Sequence, residues 1–278
     1  MIKTPLKRVL DDLYRQYNRR EYVCTDPLEF LFGYDDFHDR EIVGFITAAL
    51  AYGRVQQINR SVAIILERMM PSPSRFLLSA SPAVLRGTFS DFKHRFTTGD
   101  EMVAMLCGIR GVLQTHGSLC NGFQSVFDVQ SETILPALTA FVAMLTTGSG
   151  NCKNSLLPQP NRGSACKRLN LYLRWMVRHD DVDPGGWRGI PASKLVVPLD
   201  THLHRMCLAL GFTERRQADI KTALEITAAF RTLDPDDPVK YDFALTRLGI
   251  CNDVDFESFF GAYGMCEVPF SDRRSLSA

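Results

Sequence analysis

Apolar residues recur with helical spacing along nearly the whole chain, and the alternation typical of β-strands is almost absent. Residues 3–20 predict an amphipathic helix, and the apolar run after Asp39 predicts a buried helix that ends near Ala51. The same spacing predicts further helices, and these cover residues 55–69, 73–85, 100–114, 131–146 and 167–178. The predicted fold class is therefore all-α.

Aspartates stand at three places where the pattern predicts that a helix begins. Asp26 and Asp237 are each followed by proline, and Asp200 precedes an apolar helical run. Aspartate is a preferred N-cap and proline a preferred first helical residue. We expect the helix after Asp237 to end at Gly249, since glycine commonly follows the last helical turn.

Composition narrows the class of protein. A hydrophobic share of 45% with 23% charged residues is ordinary for a soluble globular protein. The longest apolar stretch, residues 42–53, is too short to cross a bilayer, and no signal-peptide core follows the N-terminus. We expect a cytoplasmic monomer.

Charge and cysteine spacing limit the possible partners and cofactors. The net charge of +1 means that any polyanion-binding surface must concentrate its positive charge locally. The eight cysteines include no C-x-x-C pair, which argues against a zinc ribbon or an iron–sulfur cluster. We expect reduced thiols, no metal and no cofactor.

The segment from Lys167 to Arg178 is mostly apolar, so its helix should be buried on most sides. Lys167, Arg174 and Arg178 fall on one stripe of that helix. Buried cations require an anionic neighbour, which would be either protein carboxylate or phosphate. The alternative is a helix edge whose long side chains reach the solvent.

Three segments carry a resemblance. They are residues 50–60, which begin Leu-Ala-Tyr-Gly-Arg, then Gly-Ser-Ala-Cys-Lys at 163–167, and Val-Pro-Leu-Asp-Thr-His at 197–202. In this order they resemble motifs of the helix-hairpin-helix DNA glycosylases, the endonuclease III and 8-oxoguanine glycosylase superfamily. The chain also resembles a conserved bacterial family related to the archaeal 8-oxoguanine glycosylases.

The resemblance implies a two-lobed helical fold with a catalytic cleft between the lobes. One lobe would hold residues 39–180, and the other residues 1–38 and 195–278, with an insertion at 181–194. The implied activity is removal of a damaged base, such as 8-oxoguanine, from double-stranded DNA, with associated AP-lyase activity.

The resemblance also implies the catalytic pair. Lys167 would be the nucleophile that attacks the sugar and forms a Schiff base, a reaction that lysine performs when desolvation or nearby cations favour the free amine. Asp200 would stabilise the cationic sugar and help to move protons.

Further residues are expected to contact the substrate. Tyr52 matches the position that fills the space left by the flipped base. The remaining candidates for DNA contact are Arg54, Gln56, Asn59, Gly163, Ser164, Ala165, Arg168 and Arg174. The candidates for the base pocket are Trp175, Trp187, His204 and Phe243.

The sequence departs from the superfamily pattern in three respects. Ala165 stands where the second hairpin glycine is expected, and the 33-residue spacing from Lys167 to Asp200 (200 − 167) is longer than usual. The C-terminal four-cysteine cluster of endonuclease III is absent, as in the oxoguanine branch.

Two other functions remain open at this stage. One is a helix-hairpin-helix DNA-binding protein without catalysis. The other is an all-α metal-dependent phosphohydrolase, whose candidate ligands would be His94, His116, His179, Asp180 and Asp200.

Overall fold

Helices form at most of the places where the apolar spacing predicts them, in a computed structural model that describes residues 3–147 and 154–250. The all-α prediction is confirmed. Twelve α-helices lie within these ranges: α1 Lys3–Tyr17, α2 Phe37–Leu50, α3 Val55–Glu67, α4 Pro73–Ser79, α5 Pro82–Phe89, α6 Gly99–His116, α7 Leu119–Gln124, α8 Leu135–Thr146, α9 Lys167–Val177, α10 Thr201–Ala209, α11 Ile220–Arg231 and α12 Asp242–Ile250.

The remaining regular structure is short. One antiparallel hairpin joins α5 to α6, and its strands are β1 Lys93–His94 and β2 Thr97–Thr98. Short 3-10 helices occupy Arg20–Val23, Pro27–Gly33, Pro160–Arg162 and Ala192–Lys194. The apolar pattern did not predict the hairpin, because two-residue strands are too short to show alternation.

Side-chain caps fix where the helices begin. Asp26 and Asp200 accept hydrogen bonds from backbone amides of the turn that follows, as their positions predict. Thr98 and Glu101 cap the start of α6 reciprocally, and Gly117 ends that helix in the left-handed conformation.

Two predicted boundaries were wrong because the apolar spacing carries on across helix breaks. The stretch 73–85 is two helices, since Ser81 caps a new start and Pro82 opens it. The stretch 131–146 becomes helical only at Leu135.

The predicted start and end of the last helix were also wrong. Residues after Asp237 form a turn, and α12 begins at Asp242. Gly249 lies within α12. Asp237 accepts a hydrogen bond from Arg178 instead of capping a helix.

Helix α2 lies at the centre and is buried along most of its length, with α9, α3, α4 and α7 packed against it. Gly44 permits the close approach of α9, because a Cβ there would lie 3.3 Å from Met176 and 3.4 Å from Tyr172. A Cβ on Gly108 of α6 would meet the carbonyl oxygen of Leu145 at 1.8 Å, so only glycine fits there.

The two ends of the described chain meet. Helix α1 lies against α12, and α12 lies against α10. The division into two lobes stays a prediction. Across the described ranges, no helix is both long and apolar enough to span a membrane.

Candidate active site

Lys167 and Asp200 lie side by side, although 33 positions separate them in the sequence (200 − 167). Lys167 Nζ is 3.4 Å from Asp200 Oδ2, and the two side chains are 34% and 30% exposed. Each stands at the start of its own helix, α9 and α10. The pair is thus in contact yet open to solvent.

The backbone fixes both side chains. Cys166, directly before Lys167, has a left-handed φ of +48°, and this turn starts α9 at the lysine. Asp200 Oδ1 accepts from the amides of His202 and Leu203 at 2.9 and 2.8 Å. Because the cap uses Oδ1, Oδ2 is left to face the amine.

The pair borders a narrow cleft of about 70 Å³, room for a few water molecules. The cleft lining combines aromatic rings with charged groups. It comprises Asp26, Lys167, Leu171, Arg174, Trp175, Pro198, Asp200, Asp242, Phe243, Thr246 and Arg247. Trp175 and Phe243 of the predicted base pocket therefore do line this cleft.

Trp175 Nε1 and Arg247 Nε are two buried N–H groups on residues that line the cleft. Neither has a hydrogen-bond partner among the residues that the structure describes. Arg247 also pairs with Asp26 through Nη2 and lies over the Phe243 ring at 4.5 Å. Unsatisfied buried donors are costly in a folded protein. They suit a ligand that presents acceptor atoms.

Asp242 is a second carboxylate of the cleft that the sequence did not single out. Burial raises its pKa, and the charge of Asp200 raises it further, while Arg174 and Lys167 act in the opposite direction. Asp242 pairs directly with Arg174. The sequence offered no signal for Asp242, because the helix predicted to follow Asp237 would make it an ordinary polar residue within a helix.

Below the cleft, the inner part of the cationic stripe is closed by protein carboxylates. Arg174 is 3% exposed and pairs with Asp183 at 3.0 Å as well as with Asp242. Arg178 pairs with Asp180, Asp183 and Asp237. The sequence predicted that either protein carboxylates or phosphate would neutralise this stripe, and the structure shows protein carboxylates.

The prediction that Arg174 contacts DNA conflicts with this placement, because its guanidinium is buried and paired. Arg168 is also directed inward, and donates to the backbone carbonyls of Ala49 and Ser155. Burial lowers the pKa of Arg168. Neither guanidinium is presented to a duplex.

Tyr52 is half-buried and held in place. Its hydroxyl lies 2.6 Å from Thr97 Oγ1 and donates to the His94 carbonyl at 3.0 Å, and Arg168 lies over its ring at 4.9 Å. The ring stacks on Phe96, which is 63% exposed. Tyr52, which was predicted to fill the space left by the flipped base, therefore lies beneath Phe96, a more exposed aromatic side chain.

The other predicted DNA contacts divide by exposure. Arg54, Gln56, Gly163 and Ser164 are exposed. Asn59 is half-buried, and its amide donates to the carbonyl of Thr25 at 3.3 Å.

Ala165 and two base-pocket candidates lie in the interior. Ala165 is buried in the turn before α9. Trp187 packs against Phe123 and Tyr172, and His204 bonds the carbonyl of Arg215 at 2.7 Å. Neither Trp187 nor His204 borders the cleft of Lys167 and Asp200.

The residues of the metal-dependent alternative do not converge. His94 bonds Ser61 and Tyr52, His179 bonds the Pro184 carbonyl, and Asp180 pairs with Arg178. Within the part of the chain that the structure describes, no group of three or more histidine, cysteine, aspartate or glutamate side chains is placed to hold a metal ion.

Comparison with known proteins places the chain in one family. A family model described as "Protein of unknown function (DUF2400)" matches residues 26–251, well over half of the chain. The chain belongs to the DUF2400 family. The matched region includes the lysine, the aspartate and every residue that lines the cleft. No curated protein and no solved structure matches the chain.

Proposed function

We propose that this protein is a DNA glycosylase with associated AP-lyase activity, with Lys167 as the nucleophile and Asp200 as its carboxylate partner. The observation that carries the proposal is the 3.4 Å approach of the amine to the carboxylate at the edge of an aromatic cleft. A nucleophile and a charge-stabilising group within contact distance are what covalent catalysis at a sugar requires.

The chemistry follows from this arrangement. In its neutral form the Lys167 amine attacks the anomeric carbon of the deoxyribose, and the base leaves with the electrons of the glycosidic bond and takes up a proton from water. Asp200 balances the positive charge that develops on the sugar and takes the proton that the attacking amine gives up. Asp200 then passes that proton to the ring oxygen as the bond from this oxygen to the anomeric carbon breaks, which opens the sugar ring and leaves a protonated imine between Nζ and the anomeric carbon.

The cleft supports recognition of a base outside the helix. Trp175 and Phe243 line the cleft with aromatic rings, and the buried, unpartnered N–H groups of Trp175 and Arg247 could donate to acceptor atoms of a base once the cleft opens. At about 70 Å³ the cleft must widen to admit a whole base. We therefore propose that binding a flipped nucleotide moves the side chains that line it.

The resemblance of residues 50–60, 163–167 and 197–202 to the helix-hairpin-helix glycosylases supports the same assignment. Lys167 and Asp200, which belong to two of these segments, are 33 positions apart in the sequence, and the fold brings them together.

Borohydride trapping on an abasic duplex tests the proposal, because it does not require the lesion to be known. Wild-type protein should form a stable adduct with the DNA, and Lys167→Gln should form none. Lys194→Gln is the matched control, since the Lys194 amine bonds the Ser131 carbonyl at 2.8 Å and lies outside the cleft lining. Equal trapping by wild type and Lys167→Gln would refute the assignment of the nucleophile.

Absence of any adduct, together with tight binding of the abasic duplex, would favour the non-catalytic DNA-binding function. A panel of duplexes with single damaged bases, 8-oxoguanine first, then identifies the lesion by base release from the wild type.

A further inference from the structure

The hairpin of β1 and β2 presents one ring to solvent. Phe96 is 63% exposed, and it is the only aromatic residue among the large hydrophobic side chains exposed in the described ranges. The strand register pairs Lys93 with Thr98 and His94 with Thr97, so Arg95 and Phe96 form the tip. Most of the Phe96 ring is therefore in contact with water.

The base of this hairpin is held rigidly from several sides. His94 is buried, and its two ring nitrogens lie 2.8 Å from Ser61 Oγ and 3.1 Å from the Tyr52 carbonyl. Thr97 Oγ1 lies 2.6 Å from the Tyr52 hydroxyl and 2.9 Å from Ser155 Oγ. A fixed base with an exposed apolar tip is suited to insertion into a partner.

The tip is also strained and positively charged. Arg95 has a left-handed φ of +54°, a conformation that side-chain-bearing residues adopt at an energetic cost. Its side chain lies over Gly53, where a Cβ would be 2.7 Å from Nη1. Lys93 and Arg95 belong to the same hairpin as Phe96, Arg54 directly follows Gly53, and all three side chains are exposed.

Contacts connect this tip to the proposed catalytic pair. Phe96 stacks on Tyr52 with ring centroids 4.9 Å apart, and Arg168 covers the Tyr52 ring at 4.9 Å. Arg168 directly follows Lys167 in α9. The hairpin tip is thus linked to the residue next to the lysine through two side-chain contacts.

We infer that Phe96 is the residue that enters the DNA duplex and fills the gap left by the displaced nucleotide, with Arg54, Lys93 and Arg95 contacting the flanking phosphates. This inference rests on the proposed function. A duplex fits better than a single strand, since single-strand surfaces stack successive bases on several aromatic side chains and this surface offers one.

Binding to duplexes that carry a tetrahydrofuran abasic analogue tests the inference without chemistry, because the analogue cannot form an imine. Phe96→Ala should weaken binding to this duplex about ten-fold or more, the range seen when one base-stacking aromatic is removed. Binding to an intact duplex should change much less. Val84→Ala, an exposed apolar position on α5, is the matched control and should bind as wild type does.

Two further variants report on the same contact. Phe96→Trp should retain the affinity, and its emission should be quenched when the duplex is added, whereas Val84→Trp should not respond. Arg95→Ala should weaken binding to both duplexes. In a plot of the logarithm of affinity against the logarithm of salt concentration, its slope should be shallower than that of wild type by about one.

The outcomes separate the inference from the proposed function. Unchanged binding by Phe96→Ala overturns the inference, even when Lys167 traps normally. A Phe96-dependent preference for the abasic duplex without any Lys167 adduct upholds the inference and overturns the proposed chemistry. Failure to bind any duplex, or equal dependence on Phe96 for single strands, overturns the inference.

Discussion

Helix α9 carries two cation–carboxylate sites of opposite character. At its first residue, Lys167 faces one carboxylate at 3.4 Å, and both side chains are about one-third exposed. At its inner end, Arg174 and Arg178 are nearly inaccessible and share Asp183 with further carboxylates around them. One site is open and singly paired, and the other is dry and multiply paired.

The difference shows how similar residues on one stripe take different roles. Arginine keeps its charge under all physiological conditions and binds carboxylates through a planar fork, which suits a buried network that holds α9, α12 and the 180–183 turn together. Lysine has a single amine that gives up its proton more readily, which suits a nucleophile. The arginine network holds the helix on which the lysine stands.

Breaking the buried network should have the largest effect. Arg174→Met leaves Asp183 and Asp242 without one of their cations, so we expect a loss of about 3–5 kcal/mol in the free energy of unfolding. Chemical denaturation measures it, and Arg75→Met on the exposed surface of α4 is the control. A loss below about 1 kcal/mol would mean that the network is not structural.

The open site should respond in activity and hardly in stability. Asp200→Asn removes the counter-charge but keeps a good N-cap, so cleavage of an abasic duplex should slow by about 100-fold or more at unchanged stability. Single-turnover kinetics measure this rate. Asp219→Asn is the control, because Asp219 caps α11 in the same way and does not line the cleft. Equal slowing by both variants would show that only the cap matters.

Glu41 adds a third case to the comparison of the open pair with the buried arginine network. It is a buried carboxylate that accepts hydrogen bonds from backbone amides. It accepts from the amides of Leu119 and Cys120 at 2.8 and 3.0 Å, while His38 lies 3.9 Å away and Asp36 adds negative charge. Burial raises the pKa of Glu41 from 4.5 to about 7. The native state therefore keeps a proton that the unfolded chain has already lost between these two pH values.

Since the native state binds the extra proton, the contribution of Glu41 to stability falls as pH rises from about 4.5 to about 7, and stays at its low level above. Between pH 5 and pH 8, wild type should lose roughly 2–3 kcal/mol more than Glu41→Gln does. Unfolding curves of both proteins across this range measure the difference. Parallel pH profiles would place the titration elsewhere.

The smallest effect is expected for the stability of Lys167→Gln. An ion pair with this exposure contributes at most about 1 kcal/mol, so the free energy of unfolding should barely change while trapping is lost. Chemical denaturation with Arg174→Met in the same series tests the contrast. A loss as large as that of Arg174→Met would make Lys167 a structural residue.

The sequence by itself determined the helical fold class and most helix starts. Apolar spacing is a local property, and an aspartate or proline at a helix start acts on the next turn of the same chain, so Asp26 and Asp200 could be identified as caps without any tertiary information. The order of the three motifs also predicted Lys167 and Asp200 as the catalytic pair, and the fold brings these two residues into contact.

Only the tertiary structure decided which cations face the solvent and which residues share the cleft. Arg174 and Arg168 have the same local pattern as surface arginines, and their burial depends on distant groups such as Asp242 and the Ala49 carbonyl. Phe96 belongs to a hairpin too short to leave a pattern, and its exposure depends on Tyr52 beneath it. Contacts between residues far apart in the chain depend on how helices pack. The spacing of apolar residues within one helix does not identify the side chains of the helix that packs against it.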